Sequence, residues 1–245
     1  MTLLTVHLLR HGEVHNPDQV LYGRLPGFGL SERGRAMAER AAQVIARVPD
    51  SPARIGVLVT SPLQRARETV APLERALGLT ARVDPRVIEG SNDFEGHHVD
   101  GAFLRRPENL RRLWNPWRPS WGEPHRQIAD RMWAALDQAA AEAAAAGRAV
   151  LVVSHQLPIW SARRSAEHRR IWGRRECALA SLTTFTLDLP DAPTGPGPTS
   201  GGDAAAAGPA AAAARPDAGA GGHPSARSAG AAVVAVDCSE PAADL

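Results

Sequence analysis

Three short apolar runs constrain this chain most, because each is cut off by polar residues suited to chemistry. Residues 3–9 give way to Arg10-His11-Gly12, Ile55–Val59 to Thr60-Ser61-Pro62, and Ala149–Val153 to Ser154-His155. Runs of this length and composition read as buried strands. Helical patterns lie between them, so the chain alternates strand and helix. That alternation implies a mainly parallel sheet covered on both faces. In such sheets ligands bind outside the carboxyl ends of the strands, where these polar residues fall. Gly12 lets the backbone approach a ligand closely or take a positive φ.

The remaining elements follow from spacing and punctuation. Ser31 is a good N-cap for a helix on which Met37, Ala41, Val44, Ile45 and Val48 recur, until Pro49 to Pro52 breaks it. Ser61 is expected to cap the next helix, with Pro62 at its first position, and Gly78 to end it after Leu77. A short strand at 81–83 leads to Val87-Ile88-Glu89, and 97–122 reads as irregular. An alanine-heavy helix spans Pro124 to Ala146, a helix or two fill 158–172, and Ser181–Leu187 is a strand. Residues 190–230 are mostly Ala, Gly, Pro, Ser and Thr, which cannot bury enough surface to offset ordering entropy. Disorder is expected there. Ala232–Val236 reads as one more strand, which makes the segment a long loop inside a terminal hairpin. The expected organisation is a three-layer α/β/α domain over 1–189, an insertion over 190–230, and a terminal strand and tail over 231–245.

A formal charge of +2 over 245 residues gives no reason to expect a nucleic-acid binder. Cys177 and Cys238 make neither a disulfide framework nor a zinc-ligand set, which suits a reducing cytoplasm. No basic leader precedes the apolar start and no stretch is long enough to span a membrane. A cytoplasmic protein with no membrane or nucleic-acid partner is therefore expected. His7, His11 and His15 recur every four residues, which would make a metal face only on a helix. Val6–Leu9 is strand-like and Gly12 breaks the run, so no metal site is expected.

Arg10, His11, Arg65, Glu89 and His155 all fall at strand ends or helix starts. Arg65 lies one turn beyond Ser61, near a positive helix end that already favours anions. Two arginines and two histidines around one crevice suit a dianionic phosphoryl group, because a guanidinium fork binds two oxygens at once.

The blocks Leu9-Arg10-His11-Gly12-Glu13 with Asn16, Leu30-Ser31-Glu32-Arg33-Gly34, Thr60-Ser61-Pro62-Leu63-Gln64-Arg65-Ala66, Ile88-Glu89 with Glu95-Gly96, and Val152-Val153-Ser154-His155 resemble the histidine phosphatase superfamily. That group includes the cofactor-dependent phosphoglycerate mutases. The resemblance implies a phosphoglycerate mutase-like fold. It implies His11 as a nucleophile that becomes phosphohistidine, and Arg10, Arg65 and His155 as holders of the phosphoryl oxygens. Glu89 would protonate the leaving group and later activate water. Gly12, Asn16 and Gln156 would contact substrate, and no metal or cofactor is implied. The function this favours is a metal-independent phosphatase of the histidine acid type, acting on a small phosphorylated metabolite. A phosphoglycerate mutase ranks second, and a non-catalytic binder of phosphorylated ligands third.

The chain departs from the family pattern in two places. The run His11 to Asn16 is one residue shorter than the usual His-Gly-Glu-Thr/Ser-x-Trp-Asn and lacks its hydroxyl and Trp. The spacing from Glu89 to Glu95-Gly96 is also short, so Glu95 and Asp93 stand as rival acids. Trp114, Trp117, Trp121, Trp133, Trp160 and Trp172 crowd one region, as an aromatic wall over substrate or as a small satellite core. The second reading suits Trp133 and Trp172 better. Arg105, Arg106, Arg111 and Arg112 bind a second anionic group or form a solvated basic face, and His97-His98 suit a surface loop.

Overall fold

The computed structural model describes residues 2–47, 54–113, 121–168, 177–189 and 232–242. Its strands are β1 (Thr2–Arg10), β2 (Ile55–Thr60), β3 (Arg82–Val83), β4 (Ala149–Ser154), β5 (Leu182–Leu189) and β6 (Ala232–Ser239). Its helices are α1 (Glu32–Ala46), α2 (Gln64–Leu77), α3 (Gly101–Leu104), α4 (Pro107–Arg112), α5 (His125–Ala144) and α6 (Gln156–Ala166). The sheet runs β3-β2-β4-β1-β5-β6. Its first four strands are parallel, and β5 and β6 extend it antiparallel.

Alternation along β4 explains the three layers. Leu151 and Val153 point to one face and pack with Ala41, Ala42, Ala66, Val70 and Leu73 of α1 and α2. Val150 and Val152 point to the other and pack with Met132, Leu136, Ala139 and Ile159 of α5 and α6. Every residue of β4 is buried, as a central parallel strand requires. The alanines let the helices approach closely, and each fully buried Val or Leu is worth about 1.5–3 kcal/mol.

Helix starts show where local signals hold and where tertiary contacts override them. Ser31 caps α1 by accepting from the Gly34 N–H at 2.9 Å. Ser61 does not cap α2. That helix starts at Gln64 after Leu63, because Ser61 continues the sheet, donating its N–H to Val153 O, and its hydroxyl pairs with His155. The stretch 97–122 is less irregular than its composition suggests. Asp100 caps α3 through the Phe103 N–H at 2.6 Å, and Pro107 opens α4. Helix α6 begins at Gln156, two residues earlier than expected, directly on the end of β4. Trp133 lies in the main core against Phe185, at 5.3 Å between ring centroids, and Trp160 is buried too. Trp114, Trp117 and Trp172, and the whole of 190–230, lie outside the described residues.

The β5–β6 register generates a prediction. Asp188 pairs with Ala232, so the two strand ends lie side by side. A five-residue turn in place of 190–231 should span them. Loop closure entropy then predicts unchanged or higher stability, by up to about 2 kcal/mol. Urea unfolding of the shortened chain checks this, and a large loss of stability would show that the segment packs on the domain.

Candidate active site

The register of β1 on β4 pairs Arg10 with Ser154, so the residues that follow, His11 and His155, leave adjacent strands at the same end. The His11 N–H donates to Ser154 O at 3.1 Å, and the two rings lie 5.1 Å apart at 58°. Strand β2 ends beside them and delivers Ser61, whose Oγ lies 2.7 Å from His155 Nε2. Helix α2 then starts at the same level and places Arg65 in its first turn. Three parallel strands and one helix N-terminus therefore converge on one spot.

Hydrogen bonds fix the His11 tautomer. Its Nδ1 lies 2.7 Å from Gly12 O, a carbonyl that can only accept, so Nδ1 carries the proton. Arg65 Nε–H points at His11 Nε2 from 3.2 Å, which leaves that nitrogen with its lone pair. Burial first, then Arg65 and Arg10, hold the His11 pKa well below 6.5. Burial likewise depresses His155, with the charges of His11, Arg65 and Arg10 adding to it. Both rings are neutral at ordinary pH. His155 Nδ1 is buried with no partner among the described residues.

The two arginines lack carboxylate partners. Arg65 is 1% exposed, donates to Gly23 O at 2.8 Å, and lies 4.8 Å from the centroid of the Tyr22 ring. Arg10 donates from Nη1 to Cys177 O, and its buried Nε has no partner. Neither guanidinium hydrogen-bonds a carboxylate among the described residues. Arg65 feels the carboxylates of Glu89 and Glu95 only at a distance, so both guanidinium groups keep donors that an anion could take up.

Glu89 sits beside this cluster. Burial pushes its carboxyl pKa up, against the opposing pull of the Gly90 N–H and the two arginines. The Gly90 N–H donates to Glu89 Oε1 at 2.9 Å. Glu95 lies behind Arg65, whose charge it feels, and is engaged with its own loop: its Oε1 accepts from the Asn92 N–H and lies against Gly23, where an added Cβ would come within 2.1 Å of it. Asp93 is exposed.

Gly12 is required by close packing, since a Cβ there would lie 2.4 Å from Gly34 O. The loop it begins is held by Ser31 and Arg33, which donate to the Glu13 carboxylate at 2.8 and 3.0 Å. Both ends of the Asn16 amide bond the Val20 backbone, so Asn16 staples the 16–20 loop. Gln156 is half-buried at the first position of α6, next to His155. Arg105, Arg106, Arg111 and Arg112 are exposed, as are His97 and His98.

Sequence reasoning missed a clamp. Arg24 and Arg131 both donate to the Glu89 carbonyl, at 2.7 and 3.2 Å, and both pair with the Glu123 carboxylate. Glu123 is only 10% exposed. Arg24 is ninety-nine positions from Glu123, and the three residues belong to no motif. The one local signal was a carboxylate placed just before a proline that opens a helix.

With this geometry in place, the chain can be set against known proteins. Residues 6–191 match the family described as the histidine phosphatase superfamily (branch 1), and the protein belongs to it. The uncharacterized protein Rv0525 of Mycobacterium tuberculosis is 47% identical over 189 residues, covering 75% of this chain and 90% of its own. A glucosyl-3-phosphoglycerate phosphatase of the same organism is 32% identical over 133 residues, 51% of this chain and 55% of that protein. The solved structure of mycobacterial glucosyl-3-phosphoglycerate phosphatase superposes with a TM-score of 0.61 at 26% identity, over 75% of this chain and 90% of the other. Its complex with inorganic phosphate does so at 0.60 and 25% identity, with the same coverage.

Two measurements test the site. Protonation of His11 and His155 is resisted only in the folded state, so the unfolded chain takes up more protons below pH 6.5. Stability should be full above that pH and fall as the pH drops through it. Thermal melting from pH 8 to 5 should show the decline, and His155→Asn should lessen it. Glu123→Gln leaves two guanidiniums facing each other and should cost about 3 kcal/mol in urea unfolding.

Proposed function

We propose that the protein is a phosphatase that hydrolyses a small phosphomonoester through a phosphohistidine at His11. The observation that carries this reading is the His11 ring. Its Nδ1–H is tied to Gly12 O while its unprotonated Nε2 sits beside two arginines without carboxylate partners. A dianionic phosphoryl group neutralises those charges, and the Nε2 lone pair attacks phosphorus as the ester oxygen leaves. Phosphoryl transfer depends on this positioning and charge compensation more than on covalent help. His155 and the N-terminus of α2 complete the cradle. The family membership and the phosphate-bound relative support the same chemistry.

Glu89 is the acid in this reading. Its raised pKa keeps a proton available for the leaving alkoxide, and the resulting carboxylate then draws a proton from the attacking water. Its environment favours it over Glu95, which is engaged with its own loop, and over exposed Asp93. The reaction needs no metal in this reading, because guanidinium groups supply the positive charge. Among the described residues, no group of three or more His, Cys, Asp or Glu could hold a metal ion. None of the described helices is long and apolar enough to cross a membrane. The substrate is a small phosphate ester, and water is the acceptor.

His11→Ala should abolish turnover, and quenched wild-type protein should carry an acid-labile, base-stable phosphoryl group. Activity should survive excess chelator. Substantial hydrolysis by the alanine variant would overturn the reading. Rapid interconversion of 3- and 2-phosphoglycerate, stimulated by 2,3-bisphosphoglycerate, would make the protein a mutase instead.

A leaving-group series tests Glu89. An alkoxide needs a proton in the transition state and a nitrophenolate hardly does, so Glu89→Gln should slow phosphoenzyme formation from alkyl phosphates by about 10²–10⁴-fold. Formation from p-nitrophenyl phosphate, measured in a single turnover, should change little. If Glu95→Gln shows that contrast and Glu89→Gln does not, the acid is Glu95.

A further inference from the structure

The chain has two cysteines, sixty-one positions apart, and the fold brings both to one cavity of about 490 Å³ between α6, β5 and β6. Cys238 is exposed on β6, and its Sγ accepts a hydrogen bond from Arg163 Nη1 at 3.2 Å. Its exposure leaves the sulfur open to a peroxide arriving from solvent. Cys177 is buried. Its Sγ lies 3.7 Å from Ser181 Oγ, and Cys238 Sγ lies 3.7 Å from Thr183 Oγ1. The two hydroxyls are two residues apart at the start of β5, so the sulfurs face one wall of the cavity. The Cys177 carbonyl is also the acceptor that holds Arg10 beside His11.

We propose that Cys177 and Cys238 form a peroxide-driven disulfide that weakens anion binding at the His11 site by moving the carbonyl that holds Arg10. The Cys238 thiolate attacks one oxygen of a hydroperoxide. The O–O bond breaks, hydroxide leaves, and Cys238 becomes a sulfenic acid. Cys177 then attacks that sulfur. The S–S bond forms, the S–O bond breaks, and the departing oxygen leaves as water with the Cys177 proton. Two electrons pass from the sulfurs to one peroxide. Same-face positions two residues apart in a strand are about 6.6 Å apart. An S–S bond is about 2.05 Å long. The sulfurs stand against hydroxyls on positions spaced in this way, so drawing them to bonding distance pulls Cys177 and the end of β6 toward each other. Cys177 lies next to the phosphoryl site, and its carbonyl moves with it.

The proposal rests on the anion site described above, and its test reads phosphate affinity rather than turnover. The full chain is treated with hydrogen peroxide and capped with N-ethylmaleimide. It is then analysed by non-reducing peptide mass spectrometry and by calorimetric titration with inorganic phosphate. The expected result is a Cys177–Cys238 cross-linked peptide and phosphate binding weakened at least about tenfold. Dithiothreitol should reverse both. Cys238→Ser should bind phosphate like the untreated wild type, before and after peroxide. Absence of the cross-link, a cross-link with unchanged affinity, or equal loss in Cys238→Ser would each overturn the proposal. Failure to hydrolyse any phosphomonoester is a separate result, which would overturn the hydrolase reading alone.

Discussion

The site depends on one pairing, that of β1 with β4. The two strands are parallel, adjacent and in a register that sets Arg10 opposite Ser154. A slip of one residue would turn every side chain of β1 to the opposite face. Leu8 and Leu9 serve different layers of the core, so such a slip would disrupt both cores together. Hydrophobic burial on two faces thus fixes the placement of two polar rings at the strand ends. Energy distributed over the core holds a geometry that the polar residues could not hold alone.

Around those rings, environment divides the work between groups of ordinary acidity. Burial and cationic neighbours hold the histidine pKa values down, while burial pushes the carboxyl of Glu89 up. Groups whose acidities are pushed in opposite directions are what the proposed acid and nucleophile require. The Arg24–Glu123–Arg131 clamp belongs to the same design. It holds the Glu89 main chain through bonds from both arginines to the Glu89 carbonyl.

Much of this was legible in the chain. The apolar runs ending in Arg10-His11 and Ser154-His155 identified both the sheet and the edge where the polar groups gather. Ser31 was read correctly as a cap because nothing distant competes for its hydroxyl, apart from the Glu13 carboxylate it also serves. Ser61 is not the cap because the helix starts only at Gln64; its hydroxyl accepts from the Leu63 N–H ahead of the helix and pairs with His155, ninety-four positions away. The same limit hid Glu123, whose partners come from loops and helices with no fixed spacing. Asn16 is assigned to substrate by motif, and the structure adds that its amide bonds the Val20 backbone and holds its own loop. Short helices within 97–122 escaped notice because stretches of four and six residues carry no usable periodicity.

The strand order has a consequence for biosynthesis. Strand β1 lies in the interior of the sheet, between β4 and β5, and Val6 pairs with Val150. A ribosome releasing the chain from its N-terminus exposes the apolar segment 3–9 long before either neighbour exists. Contacts this distant in sequence close slowly. The pair His11 and His155 therefore comes together only after most of the domain has been synthesised. The early segment must be shielded until then, by collapse onto α1 and α2 or by a chaperone. A chain truncated before β4 would hold every arginine and carboxylate of the site and still lack the site itself.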